Sequence, residues 1–325
     1  MSIALRFPRY QTFGLLAAFS GLAPLALSAA DDTAGIHVPV AHGKDDSALV
    51  QRTLHSWELP AIVVEGKQAG SFRDADLVGS YGQPRWSTRR LFSEVRTYVI
   101  PEGQAEFEYW LFVTTPSRNE KKAADQAGQP KPKNQIKQQY EVEFGLGHRL
   151  QLDLYQVYVK DGSDGQNALD ATKFELRYAL ADWGRIWANP TLYAEWKQAA
   201  DGADAIEGKL LLTDELGERA MWATNFVWEQ ETGGNVERGL EWNSAVGYCV
   251  IDEVLSVGVE AKLANVAAYV DRSVDDERES HWEVAAGPSI RYCPIPHAHV
   301  IISEFIGIND DAPESKTALI IGWEF

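Results

Sequence analysis

The chain has 325 residues, 45% of them hydrophobic and 24% charged, and its 47 acidic against 30 basic side chains give a net charge of −17. This length allows one large β domain or about two ordinary domains. The acid excess excludes a nucleic-acid binder, which needs a basic face to displace counterions, and the 2 Cys exclude a disulfide-stapled miniprotein or a multi-cysteine metal array.

As an average, a mean hydropathy of −0.27 also points away from an integral membrane protein. The order of the residues reverses that conclusion. Residues 1–30 have the three parts of a secretory signal peptide: Arg6 and Arg9 in a positive start, an apolar run from Phe13 to Leu27, and the small residues Ser28-Ala29-Ala30 at the cleavage site. No later apolar run reaches the ~18–20 residues that a spanning helix needs. Export without a helical span leaves the periplasm, the exterior, or a β-barrel in an outer membrane.

Residues 31–95 form a short periplasmic segment punctuated by Pro60 and Pro84, with a strand candidate at Ala61-Ile-Val-Val-Glu65. At about 65 residues with few large apolar groups it is too small for a robust domain. Two placements are open: a periplasmic tail against the barrel base, or a partial plug whose Arg85, Arg89, Arg90 and Arg96 would complement an acidic lumen.

From residue 96 onward the pattern changes. Twelve segments alternate apolar and polar positions, as transmembrane strands do: 104–115, 135–145, 149–160, 169–180, 187–198, 205–213, 219–230, 235–249, 254–269, 280–293, 297–308 and 316–325. Connections after the even strands are short: Gly145 to His148, Ala181 to Gly184, Asp214 to Gly217, Val250 to Asp252, and Pro294 to Pro296. Those after odd strands are longer and polar, including Asp161 to Gly165, Glu231 to Asn235 and Asp271 to Glu279. The longest, Pro116 to Asn134, is expected to be irregular and mobile. Short turns on the periplasmic side, long loops outside and an even strand number put both termini in the periplasm.

Parity separates the two faces. Phe107, Tyr109 and Leu111, Tyr140 and Phe144, Phe174 and Tyr178, Trp196, Trp242 and Tyr248, and Trp282 and Tyr292 are expected to face lipid. The opposite positions assign Glu106, Glu108, Glu141, Glu143, Lys173, Glu175, Arg177, Glu195, Lys197, Glu241, Glu260, Lys262, Glu283 and Arg291 to the lumen. Charges there must be hydrated or paired, so the lumen is expected to be narrow, polar and crossed by ion pairs. The excess of Glu predicts cation preference in any conductance.

The last strand ends Leu319-Ile-Ile321-Gly-Trp323-Glu-Phe325, with the odd positions on one face and an aromatic as the final residue. Here the sequence resembles outer-membrane β-barrel proteins, and the resemblance implies that Trp323 and Phe325 are read by the barrel-assembly machinery. The opening of the first strand, Pro101-Glu-Gly-Gln-Ala-Glu106-Phe-Glu108-Tyr-Trp110, resembles uncharacterised proteobacterial and planctomycete 12-stranded barrels. These are similar to transporter-like proteins associated with aromatic- and phenol-degradation pathways. The resemblance spans about 96–325 and brings no catalytic or ligand residues.

Other candidates are weaker. Cys249 and Cys293 end strands eight and ten, both facing inward. With strand nine between them their Cα atoms are about 9–10 Å apart by strand spacing, beyond ordinary bridging reach. Free thiols are therefore expected unless a curved rim shortens the span. His297 and His299 form an HxH with no evident third ligand, so a surface pair is expected and a metal site is the alternative. His281 follows Ser280 at an outer strand end without the orienting group a lipid hydrolase needs. The acidic runs Asp275-Asp276-Glu277 with Glu279, and Asp310-Asp311, are solvated loops or, alternatively, Ca²⁺ ligands.

The fold expected is all-β, a 12-stranded antiparallel transmembrane barrel after a short periplasmic segment. The function expected is a narrow channel or transporter for a small, hydrophobic or aromatic solute. A non-transporting structural or adhesion barrel with an ion-paired lumen is the alternative, and an outer-membrane lipid hydrolase ranks last. Expected partners are outer-membrane lipid, the assembly machinery and an unknown small solute. No cofactor and no enzymatic activity are expected.

Overall fold

A computed structural model describes residues 73–162, 165–233, 236–269 and 278–325, all within one compact unit, Gly66–Phe325. The signal peptide, residues 31–72 and the acidic triplet Asp275-Asp276-Glu277 lie outside the described residues. Twelve strands close into a barrel: β1 Ala105–Ser117, β2 Gln135–Gly147, β3 Leu150–Asp161, β4 Ala168–Ala179, β5 Thr191–Ala199, β6 Ala205–Glu215, β7 Ala220–Glu231, β8 Arg238–Ile251, β9 Leu255–Tyr269, β10 Arg278–Ile295, β11 Ala298–Gly307 and β12 Pro313–Glu324. Each strand pairs antiparallel with its sequence neighbours. β12 closes the ring on β1, from Pro313 opposite Ser117 to Glu324 opposite Glu106. Closure leaves no unpaired sheet edge, which a strand in hydrocarbon cannot tolerate. Among the described residues no helix is long and apolar enough to cross a membrane.

Alternation sorts the side chains as the sequence implies. Phe174, Trp196, Trp228, Trp242 and Trp282 point outward and exposed toward the long-loop end; Phe107, Phe144, Tyr178, Tyr248, Tyr292 and Trp323 do so toward the short-turn end. Two aromatic girdles bounding an apolar band are the exterior of a membrane barrel. Trp196 stacks on Phe174 across β4 and β5, with ring centroids 5.8 Å apart.

Local structure departs from the sequence pattern in three places. β5 begins at Thr191, not 187, because Ala188 and Asn189 take positive φ (62° and 44°). The Asn189 side chain then accepts from Gly184 N (2.6 Å) and donates to Thr213 O (3.0 Å), which ties down the turn. The long connection after β1 is not wholly irregular, since it holds a helix, α1, Arg118–Gln126. Ser117 and Glu120 form its capping box, each side chain bonding the other's backbone N–H (3.1 and 2.6 Å). The eighth strand runs through Ile251, which moves the turn to Asp252-Glu253-Val254. Elsewhere the tight turns use left-handed residues, as at His148 and Arg149 (φ 52° and 63°), the geometry a two-residue hairpin needs.

Candidate functional site

The chain between Arg73 and Ile100 bonds to strands all around the ring. Arg90 reaches β1 and β2, Ile100 β3, Arg96 β7, Ser93 β9 and β11, and Arg89 and Glu94 β12. Only a segment inside the barrel can touch all of these walls. The path continues unbroken through 95–96, and Arg96, Tyr98 and Ile100 are buried in the lumen before β1 starts.

Inside a barrel a non-strand backbone has no ladder partner, so the walls must supply its hydrogen bonds. They do so with side chains. The Glu260 carboxylate accepts from the amides of Ser93 (3.0 Å) and Glu94 (2.9 Å). Asn225 accepts from Arg96 N (2.8 Å) and donates to Arg96 O (2.9 Å). The Gln151 amide oxygen accepts from Ile100 N (2.8 Å). Apolar contacts fill the rest of this end: Trp86, Leu91, Phe92 and Val95 pack on Met221, Ala223, Ala245 and Cys249. Trp183 sits edge-on to Trp86 and Tyr98, with centroids 5.5 and 5.2 Å away. Room for Phe92 comes from Gly247 and Gly258, where an added Cβ would meet its ring at 3.1 Å.

The acidic inner face of β1 to β4 meets the arginines of the segment. Arg90 Nε lies 2.6 Å from Glu108, and its guanidinium covers the Trp110 ring at 3.9 Å. Arg96 bonds Glu141 (2.5 Å), Glu143 (2.9 Å) and Tyr155 Oη (2.8 Å). Arg177 forms ion pairs with Asp153 (2.7 Å) and Glu175. His299 spans Glu106 (Nδ1, 3.2 Å) and Glu108 (Nε2, 3.0 Å). All of these groups are buried. A void of about 20 Å³ lies beside Arg90, Arg96 and Arg177.

Toward the long loops the lumen opens into two chambers of about 190 and 200 Å³, which share Glu94, Lys137, Lys262 and Lys316 in their walls. Four ion pairs stand in their walls: Lys316 with Glu94 (2.5 Å), Lys173 with Glu195 (2.7 Å), Lys209 with Glu207 (2.8 Å) and Lys262 with Glu241 (2.6 Å). Glu94 belongs to the inserted segment, so it forms the floor of the chambers.

The residues assigned to the lumen by parity thus fall into two groups. Glu106, Glu108, Glu141, Glu143, Glu175, Arg177, Glu260 and Arg291 lie buried in the filled half. Glu195, Lys173, Glu241, Lys262 and Glu283 line the chambers, and Lys197 sits near the rim, 3.6 Å from Asp170. The chamber residues Glu94, Lys209, Lys316, Glu207 and Glu229 were not singled out from the sequence, although period two in β6, β7 and β12 turns their strand members inward. Asp153, Tyr155 and Gln151 on β3 carry the same signal.

The HxH does not act as a surface pair. His297 is exposed in the turn before β11, while His299 is fully buried, its Nε2 hydrogen-bonded with Glu108 and its Nδ1 3.2 Å from Glu106 without a hydrogen bond. Glu106, His299 and Glu324 offer donor atoms within 4.8 Å of one another, as do Asp74, Cys249 and Asp252. In the first group the imidazole is engaged through Nε2 with Glu108, while its Nδ1 faces Glu106 without a hydrogen bond. In the second the Cys249 thiol donates to Asp74 (2.8 Å). Cys249 and Cys293 are both free, buried and inward, with β9 between them. Asp310 and Asp311 are engaged by α1: Asp310 binds Lys122 (2.6 Å) and Arg118 (3.3 Å), and Asp311 binds Asn119 (2.6 Å). The hydrogen bonds from Lys122 and Arg118 hold the Asp310 carboxyl below its ordinary pKa. His281 lies exposed at its strand end, 3.2 Å from Glu283.

A closed twelve-stranded antiparallel barrel with an aromatic-girdled exterior and a charged interior is an outer-membrane β-barrel. Solved structures of this architecture include an outer membrane channel from Pseudomonas putida F1, 11% identical, with a TM-score of 0.51 over 73% of this chain and 100% of that one. The NanC porin aligns over 67% of this chain and 98% of its own, at 11% identity and a TM-score of 0.46. The translocator domain of the autotransporter NalP from Neisseria meningitidis covers 68% of this chain and 88% of its own, at 9% identity and a TM-score of 0.39. At such identities the likeness is one of fold. No protein-family model matches the sequence, and no curated protein does.

Proposed function

We propose that the chain is an outer-membrane channel for a small polar solute, held closed at rest by residues 73–100 acting as a plug. The observation that carries this is the asymmetry of the lumen: chambers of about 190 and 200 Å³ at the long-loop end above a half packed with the buried side chains of residues 86–100, where a void of about 20 Å³ lies beside Arg90 and Arg96. The chamber walls are mostly ion-paired Lys and Glu, which solvate a charged or polar solute and disfavour a purely hydrophobic one. On this reading the short turns face the periplasm, so solute enters from outside. The aromatic ending Trp323 and Phe325 serves barrel assembly in an outer membrane.

Deleting residues 73–100 and comparing single-channel conductance with the full chain in planar bilayers tests the plug. Conductance several-fold higher in the deletion variant is expected, and cation preference should appear as Glu108, Glu141 and Glu143 lose their arginines. Equal conductance in the two proteins would rule the plug out. A second reading, a structural barrel that never conducts, is favoured by the buried pairing of Arg90 and Arg96. It predicts a full chain silent at every voltage and only the deletion variant active.

A further inference from the structure

We infer that the long-loop chamber holds a binding site for a small organic monocarboxylate, with Lys137 as its anion-binding group. This deepens the channel proposal by naming the class of solute. The chamber of about 190 Å³ is lined by three ammonium groups, Lys137, Lys262 and Lys316, against two carboxylates, Glu94 and Glu283. Lys316 is bound to Glu94 and Lys262 to Glu241, while Glu283 shares a hydrogen bond with His281 (3.2 Å). Lys137 is left over: among the described residues its Nζ has no carboxylate partner, and it rests 4.8 Å from the centre of the Phe112 ring. Lys316 Nζ lies 4.7 Å from the same ring. A ring face compensates an ammonium less fully than a carboxylate does, so this cation retains capacity for an anion.

The surroundings of Lys137 define the rest of the ligand. Thr114 and Gln135, directly opposed in the β1–β2 register, add neutral donors beside the ammonium. Phe305, Ala285, Ala312 and Pro313 form an apolar wall of the same chamber. A cavity of ~150 Å³ accommodates a benzene ring, so this one takes a body of that size with a carboxylate attached. Glu229, a chamber carboxylate without an ion-pair partner among the described residues, stands on β7, nearly opposite β2 in the ring. The wall around Lys137 is therefore the anion-accepting side.

The test is a ligand-observed NMR titration of the refolded full chain with benzoate, its neutral isostere benzamide, and benzylamine. Benzoate should bind about tenfold or more tightly than either of the others, the value of a charge-assisted hydrogen bond. Lys137→Met should abolish that preference and Lys137→Arg should keep it, the second variant guarding against a folding defect in the first. Equal binding of benzoate and benzamide, or a preference that survives in Lys137→Met, would overturn the site. Conductance is read separately. A benzoate preference in a chain that never conducts removes the channel and leaves the site. Conductance without the preference removes the site and leaves the channel.

Discussion

The two halves of the lumen are built from the same strands and both set cations against carboxylates, yet they behave as different materials. At the short-turn end, arginines from the inserted segment meet wall carboxylates in a packed interior. At the long-loop end, lysines meet glutamates on the walls themselves and leave space between them. The planar guanidinium can bond two carboxylates at once and lie flat on Trp110, which suits a buried crossing point. The lysine ammonium is a compact, strongly hydrated charge and suits a wet wall. Identity of the cation therefore distinguishes a filled lumen from an open one more clearly than net charge does.

That contrast is breakable. The largest loss is expected from Arg96→Met, which leaves the buried Glu141 and Glu143 with the longer contacts to Arg90 (3.5 and 3.7 Å). The stability cost should be about 3–5 kcal/mol, read from urea unfolding in detergent micelles, and a loss below 1 kcal/mol would mean that this half is wet after all. Gly322→Ala comes next. Its Cβ would fall 2.1 Å from the His299 ring, forcing that ring off Glu106 and Glu108 at roughly 1–3 kcal/mol; full stability in the variant would show the filled half to be loosely packed. Ser117→Ala removes the α1 cap outside the barrel and should cost about 1 kcal/mol, detectable as faster proteolysis of residues 118–134 with the barrel intact. The smallest stability effect belongs to Lys262→Gln in the open half, under about 1 kcal/mol because the pair is partly solvated. Its signature should instead be a shift of reversal potential toward cations under a salt gradient, and an unchanged potential would place Lys262 off the conduction path.

Much of the barrel was legible because period two is a strong signal wherever one face meets lipid and the other water. Glu106, Glu108, Glu141, Glu143, Glu175 and Arg177 all face inward as their spacing implies. The inserted segment was only half legible. Arg89, Arg90 and Arg96 announced complementarity to an acidic lumen, but a chain without periodicity carries no sign of where it lies. His299 was obscured by its neighbour: the HxH spacing suggested one surface pair, whereas the start of β11 separates an exposed turn residue from a buried one. The helix after β1 was written in the sequence, as Ser117 and Glu120 stand three apart, but a run rich in lysine and proline masked it. Asn189 before Pro190 likewise marked the delayed start of β5.

Asp74 lies at the turn between β8 and β9, where its carboxylate accepts from Glu253 N (3.2 Å). At the other end of the inserted segment, Gly103 N donates to Gly145 O (2.9 Å) beside the turn between β2 and β3. Both ends therefore leave through the same rim, and the segment is a loop dipped into the barrel rather than a thread passed through it. A loop of that kind can be drawn out by tension on its N-terminal side without parting any pair of strands. The wall would remain a closed ring throughout, and the mechanical resistance would come from the Arg90 and Arg96 clusters.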